Sequence, residues 1–74
     1  MKYIIHQKAF YSDGIGLILA LSNSKQKAFK YVRENYPEFK RDSSQDSRGE
    51  YFFGNKERQE LILVEEYGFE IELI

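Results

Sequence analysis

One stretch of this chain, Ser22 to Pro37, carries helix signals at both ends, and the remaining apolar segments are short and strand-like. Ser22-Asn23-Ser24 is an N-cap cluster, because each short oxygen side chain can accept from the free amides of a first helical turn. Ala28, Phe29, Val32 and Tyr36 then fall at the i, i+1, i+4, i+8 spacing of one apolar stripe. Lys25, Lys27, Lys30, Arg33 and Glu34 cover much of the rest. Pro37 ends the helix by disfavouring helical backbone at the residue before it. One helix with one apolar stripe can cover only one face of one sheet. The expected class is therefore α+β, a small antiparallel sheet with a single helix packed on one face.

The strands read as follows. Lys2 to Tyr11 alternates, with Ile4 and Phe10 on one face beside His6 and Lys8. Tyr3, Ile5, Ala9 and Tyr11 lie on the other, with Gln7. Ser12-Asp13-Gly14 is a turn, in which Asp caps its own backbone and Gly accepts positive φ. Ile15 to Leu21 alternates large and small residues and is expected to be a second strand. A helix beginning at Leu17 is the competing reading, since a short apolar run cannot be assigned by periodicity alone. After the helix, Phe39 is expected to fold back as a core anchor. Residues 40–49, KRDSSQDSRG, contain no apolar side chain and are expected to form a mobile surface loop.

Glu50-Tyr51-Phe52-Phe53 is a third strand and Gly54 to Arg58 a turn. Gln59 to Ile74 closes the chain as a hairpin. Its inner strand is the continuous apolar run Leu61 to Val64, its turn is Glu65-Glu66-Tyr67-Gly68, and its outer strand alternates Phe69, Ile71 and Leu73 with Glu70 and Glu72. The order is β-β-α-β-β-β within one domain spanning residues 1–74.

At 74 residues the chain has room for one small core. A domain of this size buries roughly 60–65% of its unfolded surface, so extra support is common. Disulfides and thiolate metal sites are excluded by the absence of cysteine, and a His-rich site by the single histidine. Self-association is the support left open. The net charge of −1 gives no general attraction to nucleic acid or anionic membrane. MKYIIHQK has no apolar core long enough for a signal peptide, and no segment approaches the about 20 apolar residues of a membrane span. A cytoplasmic location without a membrane or cofactor follows as the expectation.

The strands carry apolar groups on both faces while the helix covers one. If Leu61 and Leu63 meet the helix, Ile62 and Val64 look the other way, and with Ile18 and Phe52 they would form an open apolar face. Such a face marks an interaction surface, and a two-fold dimer is the simplest way to bury it. The alternative cover is the segment after the helix, led by Phe39.

Chemistry finds little support. The serines lie in caps or in the polar loop, with only His6 available as an imidazole base, so no nucleophile is assembled. His6 and Lys8 read as the polar middle of a partly wet face. Glu70 and Glu72 read as edge-strand charges with no pocket to raise a pKa. Asp13-Gly14-Ile15-Gly16 lacks the third glycine of a dinucleotide loop, position 19 being Leu. Asp42, Ser44 and Asp46 mimic calcium-loop spacing but lack its glycine and its closing Glu. No catalytic or metal-binding residue is expected.

Two readings remain. The first is a non-enzymatic protein-interaction module of regulator, adaptor or inhibitor type, a homodimer through Ile18, Phe52, Ile62 and Val64. The second is a nucleic-acid-binding domain using Lys25, Lys27, Lys30, Arg33, Lys40 and Arg41. The acidic residues from Gln59 onward count against the second.

Overall fold

The computed structural model describes residues 2–67. Five strands form one antiparallel sheet: β1 (Lys2–Ala9), β2 (Leu17–Ser22), β3 (Lys40–Arg41), β4 (Glu50–Asn55) and β5 (Glu60–Tyr67). One helix, α1 (Lys25–Asn35), follows β2. The spatial order is β2-β1-β5-β4-β3, so the apolar run of β5 sits at the centre and pairs on both sides. This is the expected α+β plan.

The helix boundaries follow from their chemistry. The Ser24 hydroxyl accepts from the Lys27 amide at 3.4 Å, and Tyr36 closes the C-terminus by donating its amide to Val32. Ser22 supports the cap: its hydroxyl accepts from the Ser24 amide at 3.1 Å. Ala28 and Val32 are fully buried, with Phe29 and Tyr36 packed beside them. Phe39 returns to the same core, as expected, with its ring 6.1 Å from that of Tyr36. Because Phe39 lies on the helix side, it does not cover the second sheet face.

Which face of β5 meets the helix differs from the expectation. Ile62 and Val64 are fully buried in the core beneath α1, together with Ile5 and Phe53. The register explains this: Val64 lies opposite Ile5 and Tyr51, and Ile62 lies opposite Gln7 and Phe53. Leu63 lies opposite His6 and Phe52, on the other face. An all-apolar strand alternates faces without saying which is which. Its neighbours decide.

Two more assignments change. Glu65, Glu66 and Tyr67, expected as a turn, continue β5 and pair with Ile4, Tyr3 and Lys2. The outer strand expected at 69–73 lies outside the described residues, as do Glu70 and Glu72. The first strand after the helix is β3, formed by Lys40 and Arg41 within the polar loop and paired with Gly54 and Phe53. A single 3-10 turn, Ser43–Gln45, follows it. Arg41 organises this segment. Its guanidinium clamps the Asp46 carboxylate through two hydrogen bonds of 2.9 and 2.6 Å and lies 5.0 Å from the Phe29 ring centre. Asp46 in turn accepts from the Phe52 amide at 3.0 Å.

Candidate functional site: an apolar sheet edge fixed by a buried histidine

The sheet ends in two unlike edges. β3 is two residues long and consists of Lys40 and Arg41, the short charged design that discourages pairing with other strands. β2 is six residues, LILALS, and no charged residue lies between Asp13 and Lys25. Among the described residues, the large apolar side chains left exposed are Tyr11, Ile15, Leu17, Ile18 and Leu21. All belong to β2 or to the connection that leads into it. Leu17 is 69% exposed and Ile18 52%, far beyond what a lone surface leucine needs to explain.

That edge is held in place from behind. His6, expected on a partly wet face, is fully buried. Its Nδ1 accepts the Gly16 amide at 3.1 Å, so the ring proton sits on Nε2 and donates to Glu65 Oε1 at 3.1 Å. The other carboxylate oxygen of Glu65 accepts from the Tyr67 hydroxyl at 3.3 Å. Burial and the neighbouring Glu65 charge raise the Tyr67 pKa above 10.0, which keeps this phenol a donor. A chain of hydrogen bonds thus runs from the β1–β2 connection to the far end of β5.

Both glycines of the connection are required by geometry. Gly14 turns the chain at φ +78°, a conformation costly for other residues, and Lys8 Nζ donates to its carbonyl at 3.4 Å. Gly16 lies so close to β1 that a Cβ would fall 2.1 Å from the Gln7 carbonyl oxygen. Immediately beyond, β2 carries a bulge. Ile5 pairs with Ala20 but the next residue, His6, pairs with Ile18, which leaves Leu19 as the extra residue. Leu19 and Ala20 both pack toward the helix core. The Tyr31 hydroxyl reaches the Leu19 carbonyl at 3.5 Å.

The four residues expected to form a surface are not brought together. Ile18 is exposed on the edge strand, opposite His6. Phe52 is half-buried on the same face but lies three strands away, beyond β1 and β5. Ile62 and Val64 are beneath the helix. The middle of the second face is not open either, because Ile4, His6 and Leu63 are buried there. The exposed apolar surface lies at the edge instead. Its sequence signal was the long charge-free interval from Gly14 to Ser24; burial of His6 had no such signal.

The six cations of the alternative reading are brought together only in part. Lys25 and Arg41 both lie over the Tyr51 ring, at 5.0 and 5.9 Å. Lys30 pairs with Glu34 at 3.7 Å and Arg41 with Asp46. Lys27 and Arg33 are exposed on the helix. Lys40, opposite Gly54, belongs instead to the rim of a shallow concavity of about 950 Å³ that also includes Phe10, Asp42, Glu57 and Leu61. Among the described residues, no group of three or more His, Cys, Asp or Glu side chains could hold a metal ion. No helix of the described residues is long and apolar enough to cross a membrane. No protein-family model matches this chain, and no curated protein or solved structure matches it either.

Proposed function

We propose that this protein is a small non-enzymatic interaction module that self-associates, and that the contact is made by the β2 edge rather than by the centre of a sheet face. The observation that carries this reading is the gathering of exposed Leu17, Ile18 and Leu21 on one uncharged edge strand, with exposed Tyr11 and Ile15 in the connection that leads into it. A contiguous apolar patch rimmed by polar groups is the ordinary mark of a protein contact. An edge strand adds backbone donors and acceptors to it. The opposite edge, short and cationic, is built to stay unpaired. A chain of 74 residues also gains core by pairing with itself.

Sedimentation velocity across a concentration series tests the reading. Dimer is expected at micromolar protein, dissociating on dilution. A monomer at every concentration would rule self-association out.

A further inference from the structure

Resting on that reading, we infer that the partner of β2 is the β2 strand of a second copy, paired antiparallel about a two-fold axis passing between Leu19 and Ala20. Two five-stranded sheets then become one continuous sheet.

The bulge selects this register. Strands paired across a two-fold axis must present the same face of the sheet at each opposed pair of positions. In β2, Leu17, Ala20 and Ser22 lie opposite Gln7, Ile5 and Tyr3 of β1, on the helix side. Ile18 and Leu21 lie opposite His6 and Ile4, on the other side. The bulged Leu19 packs toward the helix core. From Leu17 to Ser22 the faces therefore run helix, far, helix, helix, far, helix. This order reads the same in both directions. Turned end for end, Leu17 meets Ser22 of the second copy, Ile18 meets Leu21, and Leu19 meets Ala20. Every opposed pair shares a face, and the extra residue of each strand, Leu19, faces Ala20 of the other, both on the helix side.

Shifting the register by one residue sets Leu17 against Leu21 of the second copy, one on each face, and the match is lost. Registers that restore it overlap only three residues of the six-residue strand.

Charge points the same way. β2 contributes no like-charge repulsion to itself. The assembly is also closed. Its outer edges are two copies of β3, whose Lys40 and Arg41 give an incoming strand nothing apolar to join.

The absence of cysteine makes the test direct. Ile18→Cys and Leu21→Cys are exposed substitutions that leave the core untouched. A 1:1 mixture is oxidised at a concentration where sedimentation shows dimer. Opposed positions lie within disulfide reach, whereas Ile18 and its own copy are displaced by about 10 Å along the strands. The mixed disulfide is expected to exceed each of the two self-disulfides at least several-fold. Equal yields of all three from a dimeric sample would overturn the register while leaving self-association standing. A monomer at all concentrations would overturn both. As a second reading, Leu21→Arg should weaken dimerisation at least tenfold with unfolding of the dilute monomer unchanged. An undiminished dimer in that variant would also refute the pairing.

Discussion

The backbone amide of Gly16 donates to the buried imidazole of His6 at 3.1 Å. One hydrogen bond thereby ties the connection that precedes the exposed edge strand to the middle of the sheet. Because Nδ1 is occupied by this acceptor role, the remaining ring proton is directed at Glu65. Replacing the imidazole leaves the Gly16 amide and one oxygen of the partly exposed Glu65 carboxylate without their partner. His6→Leu is expected to lose about 2–4 kcal/mol of unfolding free energy, from the unsatisfied amide and carboxylate together. Glu65→Gln keeps an acceptor for Nε2 and should lose about 1 kcal/mol or less. Urea unfolding of the two variants provides the comparison. Hydrogen exchange at the Gly16 amide should quicken in the first and change little in the second.

Gly14 and Gly16 are separated by one residue but are glycines for different reasons. At Gly14 a side chain meets nothing within 4 Å, so only the φ of +78° resists substitution. Gly14→Ala should cost about 1 kcal/mol, and Gly14→Asn less, since Asn tolerates this conformation. At Gly16 the φ is unremarkable and the obstacle is the Gln7 carbonyl. Gly16→Ala must push the connection away from β1 and should cost about 2–3 kcal/mol. It should also lengthen the bond to His6. Thermal unfolding of the three variants orders these costs; Gly14→Ala proving worse than Gly16→Ala would contradict the crowding.

The inverted face of β5 gives a third prediction. Ile62 and Val64 are completely buried beneath the helix, while Leu61 is only half-buried on the other side. Ile62→Ala should cost about 3 kcal/mol and Val64→Ala about 2 kcal/mol. Leu61→Ala should cost clearly less. In a domain this small, each kcal/mol lowers the midpoint of thermal unfolding by roughly 4–8 °C. The reverse ranking is what the sequence pattern alone would suggest, so the series separates the two arrangements.

The same strand shows where sequence reading reaches its limit. The helix was legible because Ser24, the Ala28-Phe29-Val32-Tyr36 stripe and Pro37 are local signals, each acting within a turn or two. The Phe39 anchor was legible because an isolated aromatic in a polar context has few places to go. In Leu61 to Val64 every residue is apolar, so the pattern fixes the existence of a central strand but not its orientation. That is set by pairing with Ile5, Gln7, Tyr51 and Phe53, residues remote in sequence. His6 was hidden for a similar reason: its partners, Gly16 and Glu65, come from the β1–β2 connection and from the end of β5. The edge was partly visible, since the charge-free interval before Lys25 is local, but its exposure depends on β2 being outermost. The bulge at Leu19, on which the face order depends, had no local marker.

Arg41 and Asp46 provide the last prediction, and it is one of pH. Hydrogen bonding from the Arg41 guanidinium, then the Phe52 amide and the nearby positive charges of Arg41 and Lys25, hold the Asp46 carboxyl below its ordinary 3.8; partial burial opposes this. A carboxyl whose pKa is lowered by folding binds fewer protons in the native than in the unfolded state. Its stabilising contribution is therefore complete above pH 3.8 and is lost as pH falls through the lower native value. Asp46→Asn retains an oxygen for the Phe52 amide but cannot carry the charge. At neutral pH it should be less stable than the wild type by about 1 kcal/mol, the scale of a partly solvated charge-assisted pair. As the solution is acidified below pH 3.8, the two stability curves should converge, because protonated Asp46 has lost the same interaction. Taking the difference between the curves removes the other carboxylates, which titrate alike in both proteins. Urea titrations at intervals from pH 7 to pH 2 supply it. A gap that stayed constant into strong acid would show that the Arg41 clamp contributes through hydrogen-bond geometry alone, without the charge.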